Sequence, residues 1–256
     1  MAKPVAAMAS EPQAQAVRVR STRQDRLFYV IAASLMVIFT AGGFRNFYLH
    51  GKAPWGDMTS QILPLIVVHG LAMTSWVVFF LVQSILIQSG NRRLHMVIGP
   101  AGGVLALAIV ILGTVVAPLS VRFRPEIYLP FGGPRPFLAT MFAEMILFGA
   151  FMGIALAHRR RPEIHRPMML VATLAILSGS LGRFPYVGDL AARPPLYAWW
   201  PPLIFGGLLF LLQWAMSRAA NRWYLIGHAG IVIGALSSVA VGNTAFWNQI
   251  ATTFVP

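Results

Sequence analysis

The stretch FLATMFAEMILFGAFMGIALA, Phe137–Ala157, is almost unbroken apolar sequence with one carboxylate, Glu144, inside it. Its length matches the ~20 residues that an α-helix needs to cross a ~30 Å hydrocarbon layer. The run is continuous and shows no dyad alternation, so it reads as a helix and not as a barrel strand. Comparable runs recur at Leu27–Phe44, Ile62–Gln88, Leu94–Leu119, His165–Phe184, Leu196–Met216 and Trp223–Phe246. The sequence therefore predicts an all-α, polytopic membrane helix bundle with seven transmembrane helices. The fifth and sixth runs are the weakest, because Gly, Pro and Arg shorten their apolar centres. Connections such as RFRPEIYLPFGGPRP are short and rich in Pro, Gly and charge, which leaves no room for an inserted soluble domain. The expected division is a basic cytoplasmic tail over residues 1–26 and one transmembrane domain over residues 27–256.

Composition agrees. Hydrophobic residues make up 57% of the chain and charged residues 11%, with mean hydropathy +0.68, far from the balance of a soluble domain. There is no cysteine, which excludes disulfides, thiolate metal sites and covalent haem attachment. The net charge of +13 is carried in short segments between apolar runs, so it sets orientation and does not point to nucleic acid. With the N-terminus inside, thirteen of the twenty Lys and Arg fall in inner segments and seven in outer ones, which favours N-in and C-out. Trp55, Tyr128, Trp199, Trp200 and Trp223 lie near span ends, as aromatic belts do. The first stretch lacks an apolar core and a cleavage site, so the expectation is that it is retained. It can lie on anionic lipid, remain disordered or dock on a partner.

Ionisable groups inside spans are costly and usually face a partner or a cavity. Glu144 is expected ~12 Å below the outer surface, some eight residues into its helix. His69 lies at a similar depth on the second span, and Arg183 enters from the outer end of the fifth. Together His69, Glu144 and Arg183 form a candidate polar intramembrane cluster, in which Glu144 is a proton acceptor or a ligand-binding anion. The competing reading is a structural clamp between helices. On the second span His69, Trp76 and Gln83 recur every seven residues and so share one face, expected to be interior.

The remaining histidines gather at the inner edge. His95, His165 and His228 open the third, fifth and seventh spans, with His158 nearby and His50 in the first outer loop. Neutral imidazole is a good axial ligand for haem iron, and Arg92, Arg93 and Arg166 are placed to pair with propionates. His95, Gly99 and Gly102 share a face beside which a flat cofactor has room. Ordinary helix packing is the commoner use of small-residue spacing, and Gly99/Gly103, Gly149/Gly153 and Gly230/Gly234 are all such pairs. Likewise, histidines at a membrane boundary commonly just meet water or headgroups. A retinal protein is excluded, since the two lysines, Lys3 and Lys52, lie outside every span. No P-loop, zinc-protease motif or nucleophile elbow is present.

The stretches VHGLAMTSWVVFFLVQSILIQSGNRRLHMVIGPAGGVLALAIVILGT and HRRRPEIHRPMMLVATLAILSGSLGR resemble a group of uncharacterised bacterial multi-spanning proteins. In that group one histidine opens the second span, another follows a short basic turn, and a third precedes an Arg/Leu/Met-rich span. The resemblance covers most of Arg45–Arg183, with a weaker echo around His228, and carries over to His69, His95 and His165. The layout is also loosely similar to transmembrane cytochromes b, which clamp haem between histidines on neighbouring helices. The first group carries no established function. The histidine pattern and the cytochrome-like layout lead one to expect an inner-membrane protein binding b-type haem. The haem would lie near the inner face between two of His95, His165 and His228, with His95 and His165 on the iron, or on the outer side between His69 and His50. The protein would exchange electrons with a quinone or a membrane partner. The alternatives are a non-catalytic subunit of a larger membrane complex and a small proton-coupled transporter centred on Glu144.

Overall fold

In the computed structural model the described residues are 10–50, 61–184 and 186–255, with side chains from residue 23 onward. Lys3, Lys52 and Trp55 lie outside them. The α-helices are α1 (Ser10–Gly43), α2 (Arg45–His50), α3 (Leu63–Gln88), α4 (Arg92–Phe123), α5 (Pro134–Ala157), α6 (Pro162–Ala175), α7 (Ser178–Leu181), α8 (Val187–Ala191), α9 (Trp200–Ser217), α10 (Arg222–Gly242) and α11 (Ala245–Ala251). No strand occurs among the described residues. The connection RFRPEIYLPFGGPRP holds a 3-10 helix, Pro125–Phe131. Helix α1 runs unbroken through Leu27, the expected start of the membrane domain.

Among the described residues, six helices are long and apolar enough to cross a membrane: Arg23–Gly43 within α1, then α3, α4, α5, Tyr197–Ser217 and α10. Their outward residues are apolar, with Leu107, Ile146 and Ile233 each more than 60% exposed. An exterior of that kind suits acyl chains and not water. The class is an all-helical, multi-pass membrane protein.

The segment expected as the fifth span, His165–Phe184, is not one helix. Helix α6 ends at Ala175, where the amides of Ile176 and Leu177 bond back only three residues, to Thr173 O (3.4 Å) and Leu174 O (3.1 Å). One further turn, α7, follows. The break needs no proline, because the surrounding helices bury it: residues 170–178 are all inaccessible. Irregular backbone at such depth is tolerated where protein covers it.

The α6–α7 segment is the centre of the bundle, packed against α1, α5, α9 and α10. It runs parallel to α1. At one end Arg166 pairs with Asp25 at 3.1 Å. At the other, the hydroxyls of Ser180 and Thr40 lie 3.4 Å apart and the Gly43 backbone abuts that of Ser180. At mid-depth the buried Trp76 indole donates to Thr173 Oγ1 (3.1 Å) and stands edge-on to Phe148 (5.3 Å), tying α3, α5 and α6 together. Trp76 and Gln83 are both buried, so the heptad face of α3 does point inward.

Glycines set the helix contacts. Gly230 and Gly234 of α10 receive Phe151 and Leu147 of α5, the packing use of a GxxxG pair. Nothing approaches Gly99 or Gly153, and their partners Gly103 and Gly149 meet only Leu156 (3.8 Å) and Val110 (3.6 Å) at ordinary contact distance.

Candidate functional sites

Two polar places stand out, at opposite ends of the central segment. One of them, at the end where α4 and α6 begin, is built by helix starts. Gly90 takes φ +83°, a left-handed turn that suits glycine, and the Asn91 side chain caps α4 by accepting from Leu94 N at 3.1 Å. His95 is then the fourth residue of α4. Helix α6 starts with Pro162, so His165 is likewise the fourth residue of its helix. Equal distance from two adjacent helix starts gives the two imidazoles equal depth, and their ring centres lie 6.5 Å apart at 82°.

His165 Nδ1 bonds Ala155 O at 2.9 Å, satisfying a carbonyl in the last turn of α5. That fixes the ring and leaves Nε2 as its free nitrogen. His95 Nδ1 is buried with no protein partner, and so is Gln83 Oε1 beside it. Gln83 Nε2 approaches His95 O at the long distance of 3.5 Å.

The other residues expected at this edge are placed differently. His228 is the seventh residue of α10, about one turn deeper than the pair, at ~1.5 Å rise per residue. It stacks on Tyr224 (6.3 Å) and fills the groove at Gly206 of α9. Arg166, expected to serve a propionate, pairs with Asp25 instead. Arg92 and Arg93 are exposed at the start of α4. The slot at Gly102 is closed by the Phe79 ring, whereas Gly99 stays open. His158 bonds its own helix at Ile154 O (2.9 Å), and His50 is exposed at the end of α2.

The other place surrounds the break in the central segment. Glu144 lies ten residues into α5, ~15 Å along it, deeper than the ~12 Å expected, because α5 begins at Pro134. Its carboxylate accepts a hydrogen bond from Ser178 Oγ, the first residue after the break. Among the described residues the ion pairs are Arg124–Glu126 and Arg166–Asp25, so Glu144 has a neutral partner and not the expected Arg183 or His69. Arg183 donates to Gly179 O and lies 4.0 Å over the Phe44 ring. His69 is half-buried, with Nδ1 unpartnered. The three members of the expected cluster thus do not touch as a triad.

Sequence reasoning missed Ser178 as the partner of Glu144. The signal was present in the short polar run Ser178–Gly179–Ser180, set in an otherwise apolar segment at matching depth. It missed Asp25 as the partner of Arg166, for which no local signal exists. Among the described residues no group of three or more His, Asp or Glu side chains is arranged to hold a metal ion. Comparison with family models, curated proteins and solved structures finds no match for this chain.

Proposed function

We propose that the protein is a bacterial inner-membrane redox protein that holds b-type haem between His95 and His165 and exchanges electrons with a quinone or a membrane partner. The observation that carries this reading is the 6.5 Å between the two ring centres. Two metal–nitrogen bonds of ~2.0 Å, with a ring radius of ~1.2 Å on each side, give about 6.4 Å for two imidazoles across one metal. The anchored Nδ1 of His165 adds support, since ligating histidines commonly direct their other nitrogen to a carbonyl. The Nδ1 of His95 is buried and unpartnered, which leaves that nitrogen for a ligand. The macrocycle would lie toward Gly99, because Phe79 closes the Gly102 side. Bound there, the haem would supply one-electron chemistry, and the protein would orient it through α4 and α6.

We propose seven crossings, with the N-terminus inside and the C-terminus outside. Residues 162–181 would extend ~30 Å at ~1.5 Å per residue, enough for one discontinuous crossing. The contacts of this segment with both ends of the apolar part of α1 support that count, and so does the basic-residue bias. Reporter fusions at the two termini should read opposite compartments. Equal compartments would remove one crossing.

The visible spectrum of protein purified from haem-replete cells tests the main reading. Two imidazoles should give a low-spin spectrum whose α and β bands sharpen on reduction. His95→Ala or His165→Ala should abolish it, and His50→Ala or His228→Ala should not. A colourless, metal-free preparation sinks the proposal.

A second reading rests on Glu144. A carboxylate meeting a helix break near mid-depth is an arrangement used for coupled ion or proton sites. A Glu144→Gln variant that keeps full stability and the spectrum but loses proton uptake would favour it. If Glu144→Gln and Glu126→Gln behave alike, this second reading fails.

A further inference from the structure

The outer end of the bundle holds a third polar feature, separate from both sites above. A cleft of about 350 Å³ lies where α4 ends, α5 begins and α11 crosses over them. Arg122, Arg135, Asn248 and three prolines line it, and Val255 closes one side. Prolines bring no N–H, so recognition there falls to the two guanidinium groups and the amide of Asn248. Arg135 is held at two points: its Nε donates to Val255 O (3.3 Å), and its backbone carbonyl accepts from the Trp247 indole (2.8 Å). Held in this way, Arg135 lines the cleft. Neither Arg122 nor Arg135 pairs with a carboxylate among the described residues, and the nearby Glu126 is bound to Arg124. Among the described residues the cleft is therefore lined by two positive charges and no carboxylate.

Helix α11 shows what sits beside that charge. Ala251 and Val255 face inward and are buried, with Trp247 packed against Phe142. One residue earlier in each repeat, Phe246, Ile250 and Phe254 are 71%, 36% and 38% exposed. A short helix with an apolar stripe outward, next to a cationic cleft at span-end level, has the form of an element at the headgroup–acyl boundary. Arginine forks match phosphate oxygens in paired hydrogen bonds. A volume near the bottom of the ~300–1,000 Å³ range of ligand pockets suits a headgroup and not a whole lipid. Two arginines placed outside also work against the inside-positive bias that orients the chain, which gives them a reason to serve a ligand. We propose that this cleft binds the phosphate of an anionic phospholipid, with Arg122, Arg135 and Asn248 on the headgroup and the acyl chains against Phe246, Ile250 and Phe254.

The full-length protein, delipidated in detergent, should be titrated with phosphatidylglycerol and with phosphatidylcholine, with bound lipid read by native mass spectrometry. Tight retention of one phosphatidylglycerol, at least tenfold over phosphatidylcholine, is expected. Arg122→Gln should erase the preference without lowering the melting temperature, since among the described residues the Arg122 side chain makes no ion pair. Asn248→Ala should weaken the preference, and Arg93→Gln, at the other end of α4, should leave it intact. Arg135→Gln is the weaker probe because it also frees Val255. Inorganic phosphate at ten millimolar should not displace the lipid. Full displacement, or phosphate alone giving equal thermal protection, would assign the cleft to the free ion and overturn the lipid reading. Equal retention of the two lipids, or an Arg122→Gln variant with unchanged preference, would overturn it as well.

Discussion

Replacing Gly43 by alanine tests the central packing of the fold directly. Gly43 ends α1 where that helix meets α7, and an added Cβ would run into the carbonyl oxygen of Ser180. It would also lie only 3.0 Å from the Ser180 carbonyl carbon and 3.3 Å from its Cα. Ordinary contacts begin near 3.4 Å, and every obstructing atom is backbone, so no side chain can rotate away. The end of α1 or the α7 turn must move. Overpacking of this kind costs ~1–3 kcal/mol and occasionally more. Alanine returns ~0.5–1 kcal/mol of helix preference over glycine. The net loss is about 1–2 kcal/mol, or roughly 2–8 °C of melting temperature at ~2–4 °C per kcal/mol.

The controls are the same substitution at Gly99, Gly153 and Gly207, where nothing lies within 4 Å of the new Cβ. Those three should be neutral or slightly stabilised in thermal unfolding followed by light scattering or near-UV signal. A second change, Ser180→Gly, should not rescue Gly43→Ala, because the obstacle is the carbonyl and not the hydroxyl. Gly43→Ala at wild-type stability, or Gly99→Ala falling with it, would refute the close approach of α1 and α7. The support that approach lends to a seventh crossing would fall too.

Three further outcomes follow from particular contacts. The chain has no native cysteine, and the hydroxyls of Thr40 and Ser180 lie 3.4 Å apart, so a Thr40→Cys/Ser180→Cys pair should form a disulfide on mild oxidation. Absence of cross-linking by gel shift and mass spectrometry would contradict the packing. Thr173→Val should strand the buried Trp76 indole N–H and cost ~1–3 kcal/mol in chemical unfolding. Thr114→Val, which loses only a bond to its own helix, should cost little. Outside the spans, the Arg124 guanidinium bonded to Glu126 holds that carboxyl below its usual range. Their pairing is therefore complete above the ordinary carboxyl pKa and lost as pH falls through the depressed one. Arg124→Gln should move the carbon-13 titration of Glu126 upward, and an unmoved titration would deny the pairing.

How much of this could be read from residues alone depends on the range of the interaction. Continuous apolar runs state helix and bilayer together, so α3, α4, α5 and α10 are legible at nearly their full lengths. The inward face of α3 is legible as well, because Trp76 and Gln83 recur at one heptad. The exact place of the break, Ile176–Leu177, is not legible: both residues are apolar and neither is Gly or Pro, although the weak helix formers Ser178–Gly179–Ser180 just beyond mark its neighbourhood. The break is tolerated because the amides of Ile176 and Leu177 still find partners three residues back, and α1, α5, α9 and α10 shield the segment from lipid. The partnership of Arg166 with Asp25 depends on how α1 and α6 align, which no local pattern encodes. GxxxG spacing gave mixed results for the same reason. Gly230 and Gly234 receive neighbours, whereas Gly99 does not, and spacing alone cannot say which face a neighbour occupies.

The histidines show how one count separates a candidate pair from its near neighbour. His95, His165 and His228 look equivalent as residues at span starts, yet only the first two are fourth in their helices. Three further residues rotate His228 by most of a turn and sink it ~4.5 Å, at ~1.5 Å per residue. That carries it out of the pair and onto Gly206. The start of α10 is fixed by Asn221, whose side chain accepts from Trp223 N (3.0 Å) and Tyr224 N (3.2 Å). The depth of His228 therefore follows from the position of that cap. Removing the cap with Asn221→Ala should loosen the first turn of α10, at a cost of ~0.5–2 kcal/mol, and leave the geometry of His95 and His165 untouched. A low-spin spectrum, if present, should survive that change. Its loss on Asn221→Ala would mean that His228, and not His95 or His165, holds the metal.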